Sequence, residues 1–149
     1  MLRAEIGGQC LVEFRQLASR HRRERLGDEH LLLRQIPVEQ VLSSRWCRAL
    51  DTARLAFGSL TEPFSPLDSF FAGRDREETQ TEALRQRIGE WRSRGVLVLV
   101  THQVNISAAM GGFAAPGEIV VGRWRDGRLR PEFRFTAEAM ESRLDRERP

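Results

Sequence analysis

The feature that most constrains this chain is an unbroken apolar run, Val96–Val100, which ends at the polar residues Thr101, His102 and Gln103. An uninterrupted run of valines and leucines favours a strand buried on both faces, as in a parallel sheet covered by helices. The next segment, Ile106–Met110, has a short helical pattern. We therefore expect His102 at the carboxyl end of a central strand, which is where ligands bind in open α/β sheets.

A second junction of the same kind occurs earlier in the chain. Val38–Leu42 predicts a strand, and a helix is expected from Arg45 to Phe57. Between them, Ser44 is the predicted N-cap, because a serine hydroxyl accepts hydrogen bonds from the first backbone N–H groups of a helix. Arg48 lies one turn inside this helix, and its guanidinium matches the geometry of phosphate.

Polar residues at the two junctions together describe an oxyanion pocket. The predicted members of this pocket are Ser43, Ser44, Arg48, His102 and Asn105. Helix N-termini contribute backbone N–H groups that favour anions. The conjunction of Arg48 with His102 supports a site more strongly than either residue does alone, because an isolated arginine on a helix is usually solvated.

The remaining pattern alternates strands and helices, which predicts an α/β fold. The other predicted elements are a strand at Cys10–Phe14, a helix at Leu17–Arg34, a connection at Thr61–Gly73 anchored by Phe70 and Phe71, a helix at Asp75–Arg94, and strands at Glu118–Trp124 and Leu129–Phe135. Between the last two strands, Asp126-Gly127 is a strong hairpin signal.

These elements predict a single domain over residues 1–149, built as a three-layer, mainly parallel sheet flanked by helices, with a C-terminal β-hairpin. Residues 1–9 are expected to be loose, and residues 136–149 are expected to form a charged tail. Apolar residues at helical spacing predict the buried helix faces. These residues are Trp46, Ala49, Leu50, Ala53 and Phe57 in one helix, and Leu84, Ile88 and Trp91 in the other.

The charge pattern does not indicate a nucleic-acid-binding protein. All 24 basic residues are arginine, but 21 acidic residues are interspersed with them and the net charge is only +3. Such mixing is typical of solvated surfaces. No apolar segment is long enough to cross a membrane or to form a secretory signal, so we expect a cytoplasmic protein without a membrane partner.

Sequence motifs for cofactors and metals are absent. The chain contains no P-loop, no dinucleotide-binding glycine pattern and no nucleophile elbow. Cys10, Cys47 and the three histidines do not have the spacing of metal ligands. We therefore expect neither a cofactor nor a bound metal.

Two segments resemble the histidine phosphatase superfamily, also called phosphoglycerate mutase-like. Residues 41–53, VLSSRWCRALDTA, resemble the Ser-Ser and Arg-containing segment of that family, and residues 98–106, VLVTHQVNI, resemble its second-histidine segment. The resemblance extends from about Gly27 to Phe135. It implies a mainly parallel sheet flanked by helices.

The resemblance also implies roles for individual residues. Arg48 would bind the phosphate, and His102 would be the second histidine of the pocket, stabilising the phosphoryl oxygens in the transition state. Family members use a carboxylate to protonate the leaving oxygen. Asp68 is our general acid candidate, with Asp75 and Glu77 as alternatives.

The first motif of the family, Arg-His-Gly or Arg-His-Ala, is not intact. It normally follows the first strand, and its histidine carries the phosphoryl group. If Leu11–Phe14 is that strand, Arg15 occupies the arginine position and Gln16 occupies the position of the nucleophile. Gln16 cannot form a phosphoenzyme. A displaced motif at His21 and a missing first strand are the open alternatives.

Two functions follow from these residues. One is a phosphohydrolase that acts on a phosphate monoester, with the nucleophilic histidine out of its usual place. The other is a catalytically inactive module that binds phosphate. In both cases the expected partner is a phosphorylated small molecule or a phosphoprotein. We also expect Leu11–Phe14 to pair inside the sheet, since a vacated position would leave strand edges exposed.

Overall fold

The computed structural model describes residues 38–93 and 95–136. The predicted strand at Leu11–Phe14, the predicted helix at Leu17–Arg34 and the charged tail after Thr136 lie outside the described residues. Arg15, Gln16 and His21 also lie outside them. The predictions made for these segments therefore stay predictions.

The described chain is mixed α/β. Its strands are β1 (Val38–Ser43), β2 (Thr61–Pro63), β3 (Val96–Val100), β4 (Glu118–Arg125) and β5 (Arg128–Thr136), and its helices are α1 (Cys47–Phe57), α2 (Glu77–Gly89) and α3 (Gln103–Met110). Short 3₁₀ turns lie at Gly58–Leu60, Ser65–Leu67 and Arg74–Arg76. These elements belong to two compact units.

The first unit contains a three-stranded parallel sheet with the order β2-β1-β3. Strand β1 is central and pairs with β3 so that Ser43 lies opposite Val100. Helix α1 contacts all three strands. Its buried residues are Ala49 and Ala53, whose small side chains allow the helix to approach the sheet closely. The parallel sheet and its helix confirm the α/β prediction.

Strand β2 was not predicted, because its three residues fall inside the segment that we interpreted as a connection. It pairs with β1 in parallel, and Pro63 lies opposite Ser43. A strand this short has too few residues to show an alternating pattern. Proline is tolerated in it because β2 lies at an edge of the described sheet.

The second unit contains α2, α3 and the antiparallel hairpin of β4 and β5. The hairpin and its turn were predicted correctly. Asp126 has φ 51° and Gly127 has φ 71°, and positive φ at both central residues is what the tight turns of two-residue hairpins require. Both helices contact β5.

Four predicted helix boundaries are wrong. Helix α1 begins at Cys47 rather than Arg45, and its N-cap residue is Trp46 rather than Ser44. Helix α2 begins at Glu77 rather than Asp75 and ends at Gly89 rather than Arg94, so Trp91 lies beyond it. Helix α3 begins at Gln103 rather than Ile106, because His102 already occupies the N-cap position in extended conformation. Polar residues at helix starts hide such boundaries from an apolar pattern.

The buried core differs from the predicted one in β3 and at several of the apolar residues predicted to be buried. Val96 is 39% exposed and the rest of β3 is half-buried, although we expected β3 to be buried on both faces. Among the described strands β3 pairs only with β1, so it lacks the second neighbour of a central strand. Phe70 is buried as predicted, but Phe71 is 73% exposed and Trp46 is 45% exposed.

None of the helices in the described residues is long and apolar enough to cross a lipid bilayer.

We predict that Leu67→Ala lowers the free energy of unfolding by about 2–5 kcal/mol, because Leu67 is fully buried and its removal leaves a cavity. Leu60 is the matched control. It is 44% exposed, so Leu60→Ala should cost less than about 0.5 kcal/mol. Urea denaturation followed by circular dichroism measures both values. Equal costs for the two variants would contradict the burial described for Leu67.

Candidate functional site

The two polar junctions predicted from the sequence begin at the same edge of the parallel sheet. Ser43 ends β1 and Val100 ends β3, and the two residues are partners in the strand register. The backbone N–H of Ser44 also donates a hydrogen bond of 2.9 Å to the carbonyl oxygen of Val100. The chain therefore leaves β1 and β3 side by side, at the carboxyl edge where α/β sheets bind ligands.

The Asp68 carboxylate organises the first junction. Its Oδ1 accepts hydrogen bonds from the backbone N–H of Arg45 at 2.8 Å and from Ser44 Oγ at 3.2 Å. Its Oδ2 accepts a 2.8 Å hydrogen bond from Arg45 Nε and lies 2.6 Å from the Nη2 atom of the same guanidinium. Two nitrogens of the Arg45 guanidinium thus contact one carboxylate oxygen, and these contacts are charge-assisted. Asp68 thus holds the segment between β1 and α1 in one conformation.

The surroundings of Asp68 keep its carboxyl group ionised. Burial acts to raise its pKa, but the hydrogen bonds from Arg45 and Ser44 and the positive charge of Arg45 outweigh burial, so the pKa lies below the usual range for aspartate. A general acid must carry a proton at working pH. The environment therefore disfavours the general acid role that we predicted for Asp68, which stays a prediction.

The hydroxyls of the two serines at the first junction form hydrogen bonds with backbone groups. Ser43 is fully buried, and its hydroxyl donates a 2.9 Å hydrogen bond to the carbonyl oxygen of Ser44. Ser44 Oγ accepts a hydrogen bond from the backbone N–H of Trp46 at 3.2 Å, which is one residue before α1 begins. The hydroxyl therefore caps the turn that leads into the helix instead of capping the helix itself.

Arg48 lies in the first turn of α1 and is exposed to solvent. Its guanidinium carbon lies 5.4 Å from the centre of the Trp46 ring, a cation–π distance. Stacking uses the face of the guanidinium, whereas its N–H donors lie in the guanidinium plane. Arg48 therefore presents a cation beside the N-terminus of a helix, an arrangement that favours anions.

His102 and Asn105 lie in the second unit, at the start of α3. His102 is the N-cap residue, and its carbonyl oxygen accepts hydrogen bonds from the backbone N–H groups of Asn105 and Ile106 at 3.0 and 3.2 Å. Both predicted site residues are buried, with 7% of His102 and 2% of Asn105 exposed. A buried imidazole at a helix N-terminus is suited to donating a hydrogen bond to an anion.

Of the predicted site residues, the structure brings together Ser43, Ser44, Arg48 and Asp68 around the first junction, and His102 with Asn105 at the second. Arg48 belongs to one unit and His102 to the other, so their joint action stays a prediction. The alternative acids lie in the second unit, where Asp75 is exposed and Glu77 is 3.9 Å from Arg74.

Sequence reasoning missed Arg45, although it is the partner of Asp68. The two residues are 23 positions apart and lie on either side of α1 and β2. Local spacing carries no information about such a pair. A conserved or covarying Arg–Asp pair in an alignment is the kind of signal that reveals it.

A separate cavity lies wholly within the second unit. Its volume is about 710 Å³, and it is lined by residues of α2, α3 and the hairpin, including Arg85, Ser107, Trp124 and Arg128. Neither His102 nor Asn105 lines it. The predicted phosphate site is therefore distinct from this cavity. Within residues 38–93 and 95–136, no group of three or more potential ligands (His, Cys, Asp or Glu) could hold a metal ion.

Comparison with known proteins found no matching family model, no matching curated protein and no matching solved structure. The resemblance to the histidine phosphatase superfamily therefore rests on the two sequence segments alone.

We predict that Asp68→Asn lowers the free energy of unfolding at pH 7 by about 1–3 kcal/mol, because it removes the charge that Arg45 and Ser44 bind. A depressed folded pKa stabilises the protein above the unfolded pKa of about 4, and this contribution is lost as the pH falls through the folded value. The difference from wild type should therefore shrink in acid.

Asp75→Asn is the matched control, since Asp75 is exposed. It should change stability by no more than about 0.5 kcal/mol at either pH. Chemical denaturation at several pH values measures both variants. A difference between Asp68→Asn and wild type that stays constant from neutral pH into strong acid would contradict the assignment.

Proposed function

We propose that this chain is a histidine phosphatase-like protein that binds the phosphate group of a phosphate monoester or a phosphoprotein at the carboxyl edge of its parallel sheet. The proposal rests on the pairing of Ser43 with Val100. These residues end β1 and β3, so the two polar junctions begin at neighbouring strand ends. A phosphoglycerate mutase-like fold is part of this proposal, and the parallel sheet with its C-terminal hairpin is compatible with it.

Arg48 is the residue that we assign to the phosphate. Of the two arginines at the first junction, Arg45 forms an ion pair and hydrogen bonds with Asp68, whereas Arg48 stacks on Trp46. The guanidinium of Arg45 is committed to the Asp68 carboxylate, whereas stacking on Trp46 uses the face of the Arg48 guanidinium rather than its in-plane N–H donors. Arg45 therefore supports the junction, and Arg48 supplies the positive charge.

His102 is the second residue of the proposed site. It follows Thr101, whose hydroxyl donates a 2.8 Å hydrogen bond to the carbonyl oxygen of Leu67 and so ties the end of β3 to the segment that carries Asp68. We assign His102 to the phosphoryl oxygens, to which an imidazole N–H can donate. Asn105, one helical turn further on, is the other candidate donor.

Hydrolysis is the second candidate function, and the burial of His102 at a helix N-terminus favours it, because water-excluded donors stabilise a transferring phosphoryl group most strongly. A phosphoenzyme needs a nucleophile, however, and Gln16 stands at the expected position. Turnover through a histidine therefore depends on His21 or on a different nucleophile.

We predict that Arg48→Ala weakens the binding of inorganic phosphate by about 10- to 100-fold, because it removes a charge-assisted contact. Arg54→Ala is the control, since Arg54 is exposed in the last turn of the same helix and the variant has the same net charge. Isothermal titration calorimetry at constant ionic strength measures both variants. An equal loss of phosphate affinity in the two variants would show that only net charge matters, and it would contradict the assignment of Arg48 to the phosphate.

An assay with an aryl phosphate distinguishes a protein that only binds phosphate from one that hydrolyses phosphate monoesters. If the protein only binds phosphate, the wild type should release no phenolate while phosphate competes with the aryl phosphate for binding. If a displaced nucleophile operates, hydrolysis should occur and disappear in both His21→Ala and His102→Ala. His102→Asn is a second variant that keeps a polar side chain at this buried N-cap position. Hydrolysis that survives loss of both histidines would overturn their assigned roles.

A further inference from the structure

The β4–β5 hairpin has one face that packs on helices α2 and α3 and one that faces solvent. Side chains alternate between the two faces of a strand. On the inner face, Gly122 lies against Met110 of α3, and Trp124 lies against Gly89 of α2. Residues at the odd-numbered positions of β4 and their partners in β5 form the opposite face, which we call the outer face.

The outer face combines four arginines with exposed apolar side chains. Near the turn it carries two cross-strand pairs, Arg123 with Arg130 and Arg125 with Arg128. Nearer the hairpin base it carries Ile119 paired with Phe135 and Val121 paired with Phe133. The four arginines are exposed, and Phe133 is 66% exposed. Basic and acidic residues are mixed along the sequence, but the fold places these four arginines on one surface.

This arrangement works against the stability of the hairpin. Like charges directly opposite each other in an antiparallel pair are destabilising. Two acids offset part of the repulsion: Glu132 lies 2.8 Å from Arg123 and 3.6 Å from Arg125, and Asp126 lies 3.9 Å from Arg130. Four arginines against two acids leave the surface positive. A positive, aromatic surface of this kind is complementary to a ligand that is both anionic and aromatic.

We propose that the outer face of the β4–β5 hairpin binds single-stranded nucleic acid. The arginines would contact successive phosphates, and Phe133 would stack on an unpaired base, as aromatic side chains do in single-strand-binding proteins. The exposed ring favours a single strand over a duplex, whose bases are already stacked on one another. The proposal does not depend on the phosphate site, because all its residues lie in the hairpin.

Fluorescence anisotropy tests the proposal on the full chain, with labelled oligothymidylate and oligouridylate of about 15 nucleotides, a length that covers common single-strand sites. Affinity should fall with salt, at about 0.7 log units per log unit of salt for each phosphate contacted. Phe133→Ala should weaken binding about tenfold with an unchanged salt slope, because stacking is not ionic. If the two probes bind with equal affinity, the protein contacts only their phosphates and bases. If the RNA probe binds more tightly, the protein also contacts its 2′-hydroxyl groups.

Arg128→Glu separates binding from folding. It replaces a like-charge pair with an opposite-charge pair across from Arg125, so the melting temperature should stay the same or rise. Binding should nevertheless weaken at least tenfold, and the salt slope should decrease by about 0.7 or more. Arg54→Glu, which makes the same change in net charge on an exposed residue of α1, should have little effect.

Three results would overturn the proposal. The first is an equal loss of oligonucleotide affinity in Arg128→Glu and Arg54→Glu, which would show that binding depends only on net charge. The second is tighter binding of a duplex of the same length that Phe133→Ala does not affect, which would make the partner double-stranded. The third is a concentration-dependent dimer in sedimentation that Phe133→Ala abolishes, which would make the outer face an interface between copies of this chain.

Discussion

The parallel pairing of β1 with β3 is the interaction on which the first unit depends. It aligns the ends of two strands that are far apart in the sequence, and the hydrogen bond from Ser44 N–H to the Val100 carbonyl extends that alignment one residue past β1. A slip of one residue would turn every side chain of a strand to the other face. The strand ends at which the two polar junctions begin are therefore aligned by the register of this one strand pair.

The first junction is held by an ion pair whose two partners differ in exposure. Only 11% of the Asp68 side chain is exposed, whereas 63% of the Arg45 side chain is exposed. Water screens the exposed end, so the pair contributes less energy than its short distances suggest. Its main effect is geometric, because the carboxylate also binds the backbone N–H of Arg45 and the hydroxyl of Ser44. These contacts of Asp68 define the turn that leads into α1.

Features set by neighbouring residues could be predicted, and features set by distant ones could not. The hairpin turn at Asp126-Gly127 was predicted because those two residue types tolerate positive φ. The start of α1 was missed because a polar residue, Ser44, made a hydrogen bond outside the helix. The partnership of Arg45 with Asp68 required knowledge of the tertiary structure. The segregation of the arginines likewise depends on strand pairing, since Arg123 and Arg125 meet their arginine partners only across the turn of the hairpin.

Strand β2 has a consequence for association between molecules at high concentration. It lies at an edge of the described sheet, and such edges can add a strand from another chain. Two properties limit that addition: β2 is only three residues long, and Pro63 at its end has no amide hydrogen. A foreign strand would gain few hydrogen bonds there. The shortness that made β2 hard to recognise therefore also makes this edge a poor template for intermolecular β-structure.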